Sequence, residues 1–171
     1  MLRWLTPACY VTSVVGVDPQ RLVRDGIRGV VLDLDNTVVA WDAPAPTEAV
    51  RQWVDRLRRA GLKACIVSNN FRDRPRAIAE ALGIPVVLAA VKPIPWAFRR
   101  AMTIMGIPAR QTALIGDQLF TDILGGNLVG MYTILVDPLS SQEFPTTKLV
   151  RRLERLVRAR VIDRIQARQK A

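Results

Sequence analysis

The chain has 171 residues, half of them apolar and only 6% aromatic, which fits one domain, 1–171, with a core of Val, Leu, Ile and Ala. No apolar run approaches the roughly 20 residues needed to span a bilayer, and Met1–Val17 lacks the features of a signal peptide, so a cytoplasmic protein is expected. The formal charge is +10, and the absence of His excludes Ser–His and Cys–His catalysis and His-ligated metals, leaving carboxylates and lysine to carry any chemistry.

Along the chain, Met1–Gly29 gives little signal. Pro19–Arg24 reads as a short helix before Gly26, and Leu2, Trp4 and Leu5 fit either the core or an interfacial contact. Val30–Asp33 is an apolar run entering a polar loop, beside which Trp41 can flank an entrance or pack inside. Thr47 can cap a helix through Ala60, with Val50, Trp53, Val54 and Leu57 as its apolar stripe and Gly61 as its stop. Ala64–Ser68 repeats the strand pattern, and Pro75–Leu82 is a shorter helix ended by Gly83. Val86–Ala89 is the third strand. Pro93–Met105 is a helix striped by Ala97, Ala101, Ile104 and Met105 and ended by Gly106. Thr112–Ile115 and Tyr132–Val136 are further strands, and Thr121–Leu128 between them is helical despite Gly125 and Gly126. Short runs without clean alternation suit strands buried on both faces of a parallel sheet, so the expected fold is a doubly wound (Rossmann-like) α/β sheet between helices.

From about Thr146 a long amphipathic helix is expected. Leu149, Val150, Leu153, Leu156, Val157, Val161 and Ile165 form its stripe, and Arg151, Arg152, Arg155, Arg158 and Arg168 lie largely off it. This tail, 146–171, holds nine Lys/Arg and two acids, a net of +7, so any partner of the basic charge is sought there. Cys9 and Cys65 read as buried thiols of a reducing compartment. With no third Cys and no His, a structural zinc site is not expected.

The chemistry-bearing residues fall at strand ends, where open α/β sheets bind ligands. Asp33-Leu34-Asp35-Asn36-Thr37 follows the first strand and Ser68-Asn69-Asn70 the second. Lys92 follows the third, and Gly116-Asp117…Asp122 the fourth. Each alone has an ordinary reading: a turn carboxylate, a loop hydroxyl, a solvated lysine. Their ordered occurrence changes that balance. Carboxylates converging on one crevice repel unless a cation holds them, and Mg²⁺ suits few carboxylates, waters and a phosphate. A carboxylate can attack phosphorus, and a second carboxyl two residues on can protonate the leaving oxygen and then activate water.

These motifs resemble the four ordered motifs of the haloacid dehalogenase superfamily. Asp33-Leu34-Asp35-Asn36-Thr37, Ile66-Val67-Ser68-Asn69-Asn70, Lys92-Pro93 and Gly116-Asp117-Gln118…Asn127 are closest to the YqeG family of subclass IIIA, related to the mitochondrial phosphatidylglycerophosphate phosphatases. The resemblance implies a Mg²⁺-dependent phosphatase. Asp33 would be nucleophile and metal ligand. Asp35 would be general acid/base, with its carbonyl on the metal. Thr37, Ser68 and Asn69 would bind phosphate, Lys92 would neutralise the nucleophile and the phosphoryl charge, and Asp117 and Asp122 would complete the metal shell. Four residues separate Asp117 from Asp122 where many members have three, which leaves the role of Asp122 open.

Only about thirty residues lie between Asp35 and Ser68, and 23 between Ser68 and Lys92, so no cap domain fits and the site should be open. An open site favours a phosphate carried on something large. Three readings follow: a phosphatidylglycerophosphate phosphatase, peripheral on the inner face of a membrane through its basic tail; a soluble phosphatase for a nucleotide, sugar or protein phosphate; and a non-enzymatic RNA- or ribosome-binding module. The Asp33/Asp35/Lys92/Asp117 set and the lack of any RNA-binding motif weigh against the last. No specific nucleic-acid contact is expected, and no protein partner can be named.

Overall fold

A computed structural model describes residues 2–140, 154, 157–163, 165 and 167. Six strands appear: β1 (Cys9–Tyr10), β2 (Gly29–Leu32), β3 (Lys63–Val67), β4 (Val86–Val87), β5 (Thr112–Gly116) and β6 (Tyr132–Leu135). They form one parallel sheet in the order β1-β6-β5-β2-β3-β4. β2 lies between β3 and β5, with Val31 opposite Cys65 on one side and Leu114 on the other. Helices α1 (Pro19–Arg24), α2 (Glu48–Arg59), α3 (Asp73–Leu82), α4 (Pro95–Met105) and α5 (Leu124–Val129) connect the strands. The doubly wound parallel sheet between helices expected from the sequence is present.

Period-two geometry divides each strand between two cores. Val30, Leu32, Ile66 and Ile115 pack with Trp53, Val54 and Leu57 of α2 and Ile78 of α3. Val31, Cys65, Val67 and Leu114 pack with Ala97, Phe98, Ala101 and Met105 of α4. With both faces covered, the central strands are apolar throughout, which is why they do not alternate. Burial pushes the Cys65 thiol up to about 12, and Cys9 and Cys65 are both buried thiols outside any disulfide.

Several boundaries differ from the sequence expectation. Thr47 does cap α2, its Oγ1 accepting the Val50 N–H at 3.3 Å. β4 is only two residues long, because Ala89 and Val91 adopt positive φ (50° and 48°) and turn the chain toward Lys92. α4 therefore starts at Pro95 rather than Pro93. Its stripe uses the fully buried Phe98, while Ile104 is 42% exposed. The edge strand β1 carries no sequence pattern of its own and is held by β6.

The segment before α5 is not a plain α-helix. Leu119–Ile123 forms a wide turn in which the Ile123 N–H reaches back five residues to Gln118 O (3.1 Å). That turn takes up the extra residue between Asp117 and Asp122. The two glycines of α5 have a packing reason. A Cβ on Gly126 would lie 2.6 Å from Leu114 Cδ2 and 2.7 Å from Thr133 Cγ2, and one on Gly125 would enter the Phe98 ring.

Of the expected tail helix, residues 157–163 are helical. Val161 and Ile165 are buried against Leu5, Leu119, Ile123 and Leu135. Leu149, Val150, Leu153 and Leu156, with Arg151, Arg152, Arg155 and Arg168, lie outside the described residues. Leu5 is core, whereas Trp4 is 40% exposed.

Helix propensity alone would make Gly126→Ala stabilising by about 1 kcal/mol. Packing on β5 and β6 reverses the sign: the substitution should destabilise by about 1–3 kcal/mol, read as a lowered urea midpoint.

Candidate active site

The backbone delivers each polar residue as the strand hydrogen bonds run out. Asp33 still belongs to the ladder, its N–H donating to Ile115 O (2.9 Å). The chain then folds back: Val38 and Val39 N–H groups donate to Leu34 O (3.0 and 3.1 Å), and Asn36 takes φ 65° at the tip, a conformation Asn tolerates. Ser68 ends β3 with its N–H on Val87 O (3.0 Å), and its Oγ accepts the Asn70 N–H (3.1 Å). Asn69, expected on phosphate, uses its Oδ1 to accept the Lys92 backbone N–H at 2.8 Å and so fixes the next loop.

Lys92 Nζ closes the cluster. It hydrogen-bonds Asp33 Oδ1 and, at 2.7 Å, Asp122 Oδ1. Asp122 is further held by the Gln118 N–H (3.2 Å), and Thr37 Oγ1 donates to Asp117 Oδ1 (3.3 Å). Asp33, Thr37, Ser68, Asp117 and Asp122 are all buried. Gly116 is required here, since a Cβ would stand 2.5 Å from Asp122 Cβ and Cγ.

Burial opposes charge on Lys92, but the carboxylates of Asp122 and Asp33 outweigh it and hold its pKa above the ordinary lysine value. Asp122 is pushed up to about 6, chiefly by burial, with Lys92 pulling the other way and Asp33 adding to the rise. One carboxyl oxygen each from Asp33, Asp117 and Asp122 lies within 4.8 Å of the others. Oxygens on one octahedral ion with 2.0–2.1 Å bonds stand about 3–4 Å apart, so small side-chain adjustments fit this all-oxygen triad to a divalent cation.

Asp35 stands apart from that triad. Its carboxyl is a quarter exposed and accepts from Arg74 Nη1 at 2.5 Å. Burial raises its pKa, against the Arg74 hydrogen bond. Arg74 was not apparent from the sequence, where nothing separates it from Arg72 and Arg76. In the fold those two are exposed, and Arg74 also ties Ala40 O (2.7 Å) and Ala43 O (2.8 Å), bracing the loop after Asp35. Between Asp35 and Ser68 the chain adds only loop, α2 and β3, and between Ser68 and Lys92 only α3 and β4. No domain is inserted over the crevice.

Arg158 corrects the reading of the tail. It was expected on the outward polar face, but it turns inward. Its guanidinium donates to Asp117 O and Val136 O (both 2.8 Å) and to Asp137 Oδ1 (3.0 Å). Glu154, in the same segment, is buried and accepts the Leu119 N–H. The tail thus grips the loop that carries Asp117.

A family model for haloacid dehalogenase-like hydrolases matches residues 17–130. The chain is 38% identical over 155 residues to the probable phosphatase YqeG of Bacillus subtilis, covering 91% of this chain and 90% of that one. It is 30% identical over 162 residues to the chloroplastic/mitochondrial phosphatidylglycerophosphate phosphatase 1 of Arabidopsis thaliana, covering 89% of this chain and 47% of the relative. In fold it is similar to the cobalt-bound deoxy-D-mannose-octulosonate 8-phosphate phosphatase of Haemophilus influenzae, with a TM-score of 0.55 and 20% identity over 66% of this chain and 69% of the other.

Arg158→Gln removes three charge-assisted hydrogen bonds from a mostly buried guanidinium. It should destabilise the protein by about 2–4 kcal/mol. A merely solvated arginine would change stability by no more than about 0.5 kcal/mol. Urea denaturation separates the two.

Proposed function

The chain belongs to the haloacid dehalogenase-like hydrolases and is a phosphatase, and on that premise we propose that it releases phosphate from phosphatidylglycerophosphate through an aspartyl-phosphate on Asp33, with Mg²⁺ as its metal. The observation that carries the proposal is the buried convergence of Asp33, Lys92, Asp117 and Asp122 at the mouth of an uncapped crevice. The similarity to a phosphatidylglycerophosphate phosphatase supports the choice of substrate. A lipid substrate would put the work at a membrane surface; no helix among the described residues is long and apolar enough to cross one.

In this mechanism the Asp33 carboxylate attacks phosphorus while the ester P–O bond breaks. The departing oxygen takes the proton of the Asp35 carboxyl, whose pKa burial raises above the ordinary carboxylate value, the direction a general acid needs. Asp35, now a carboxylate, takes a proton from water as the water oxygen attacks the aspartyl-phosphate. Inorganic phosphate leaves and Asp33 is restored. Arg74 keeps Asp35 aimed through both steps. Lys92 offsets the charge of Asp33 and of the phosphoryl oxygens, the Ser68 hydroxyl donates to those oxygens, and Thr37, whose hydroxyl donates to Asp117, orders the carboxylate beside them. Asp33, Asp117 and Asp122, with the Asp35 carbonyl, would hold Mg²⁺, which when bound supplies further neutralisation of the phosphoryl group.

A phosphate-release screen with phosphatidylglycerophosphate in mixed micelles beside soluble nucleotide, sugar and protein phosphates tests the substrate. Micellar lipid phosphate should be turned over best, and preference for a soluble phosphate overturns the assignment. Asp33→Asn keeps the shape and removes the attacking charge, so turnover should fall by about three orders of magnitude or more with folding intact. EDTA should abolish activity, Mg²⁺ should restore it, and Ca²⁺, which prefers a larger and looser oxygen shell, should restore it poorly.

A further inference from the structure

The strand ends carry more than the charged cluster. Phe71 is 76% exposed, and Val91, Ile94, Trp96 and Leu139 are also exposed. Four sit on the loops after β3, β4 and β6, and Trp96 on the first turn of the helix after β4, all at the carboxyl end of the sheet. Phe71 follows Ser68-Asn69-Asn70. That loop is joined to the next by the Ala89 N–H on Asn70 O (3.3 Å) and the Lys92 N–H on Asn69 Oδ1 (2.8 Å). Val91 and Ile94 straddle Lys92 in a turn closed by the Ile94 N–H on Val91 O (3.0 Å), and Trp96 lies in the first turn of α4. Leu139 comes from the other side, its N–H donating to Asn36 O (2.9 Å).

Single exposed apolar side chains are ordinary. Here five of the nine large exposed hydrophobic residues among the described residues gather at one end of the sheet, on loops that would otherwise be polar. Their surroundings are basic. Arg72 and Arg76 near Phe71, and Arg99 and Arg100 in α4, are exposed, and residues 88–100 contain no acid; the nearby acids are Asp73, which opens α3, and Asp137, which is paired with Arg158.

We infer that this fringe is a docking surface for an anionic phospholipid bilayer, so that the rim of the crevice itself, rather than the tail, meets the membrane. The inference rests on the lipid-phosphate reading above and adds the surface by which that substrate is reached. A small soluble phosphate gains nothing from apolar side chains outside the crevice. A partner that touches both sides of the opening must extend past it as a plane, as a bilayer does. Trp and Phe suit the interfacial zone, and arginines suit an anionic leaflet. Side chains entering the headgroup–acyl boundary bring Lys92 and Asp33 to the level of the lipid phosphates.

The test compares the full chain with Phe71→Ser/Ile94→Ser/Trp96→Gln. Binding is read by cosedimentation with phosphatidylglycerol-containing and neutral vesicles. Activity is read on phosphatidylglycerophosphate embedded in vesicles and on a short-chain form dispersed as monomers. Wild type should bind anionic vesicles better than neutral ones. The triple variant should lose about tenfold or more in vesicle binding and in vesicle hydrolysis, since three apolar anchors are gone. It should keep monomer hydrolysis within about twofold, since surface changes away from the chemistry are small. Unchanged vesicle binding and hydrolysis in the variant, or no vesicle binding by wild type, overturns the docking surface. Weakened vesicle binding with no hydrolysis of either lipid form by wild type supports the docking surface and overturns the substrate. A measurement independent of the triple variant's folding uses Trp96→Phe. Brominated lipid should quench wild-type fluorescence and quench this variant distinctly less; equal quenching overturns the placement of Trp96.

Discussion

Three carboxylates and one lysine, from the loops after β2, β5 and β4, converge at one end of the sheet, and most of the local structure answers to that crowding. Carboxylate oxygens no more than 4.8 Å apart repel by on the order of 3 kcal/mol or more at an effective dielectric near 20, and Asp33, Asp117 and Asp122 make three such pairs. Burial sharpens the conflict, because none of the three can relieve it by facing water. Lys92 is the internal answer: its Nζ meets Asp33 and Asp122 together, and those two carboxylates keep it charged against its own desolvation. The loop that delivers it is held by the Asn69 side chain and passes through positive φ at Ala89 and Val91, so the ion pairs sustain a backbone that the sequence would not choose locally.

The other side of the cluster is fixed by backbone rather than charge. Asp117 follows a strand whose last residue is glycine because Asp122 packs where a side chain would stand. Asp122 reaches that place through the wide turn at Leu119–Ile123, which adds a residue without moving the helix that follows. Arg158 and Glu154 then bind the Asp117 carbonyl and the Leu119 amide from outside the sheet. A guanidinium can satisfy several carbonyls at once where strand hydrogen bonding stops, which an apolar residue cannot do. The tail is accordingly part of what holds the loop that carries Asp117.

The fold was legible because buried parallel strands and amphipathic helices announce themselves in different periods. The stripe Val50-Trp53-Val54-Leu57 and the runs at Val30 and Thr112 needed no tertiary information. Strand-end polar residues were legible for the same reason, since their positions follow once the strands are placed. What the sequence hid was any role set by the phase of a side chain against a distant element. Arg74 and Arg76 are two residues apart, and only the docking of α3 sends the first to Asp35 and the second to solvent. Gly125 and Gly126 read as helix breakers because their partners, Phe98, Leu114 and Thr133, are far away in the chain. The edge strand β1 exists only because β6 offers it hydrogen bonds.

The net charge shows the same limit most plainly. Twenty-five basic residues look like one property of the chain, yet the fold divides them by work. Arg21, Arg24 and Arg58 form exposed pairs with Asp25, Asp18 and Asp55, interactions that contribute little in water. Lys92, Arg74 and Arg158 are spent inside, on carboxylates and carbonyls around the crevice. Among the described residues, what remains to attract an anionic partner is the exposed set, and Arg72, Arg76, Arg99 and Arg100 belong to the same end of the sheet as Asp33 and Lys92. Screening confines such charges to about 10 Å at ordinary salt. Where a cation sits therefore matters more than how many the chain carries: among the described residues this exposed basic set lies at the same end of the sheet as Asp33 and Lys92, whereas Arg74 and Arg158 are already engaged there.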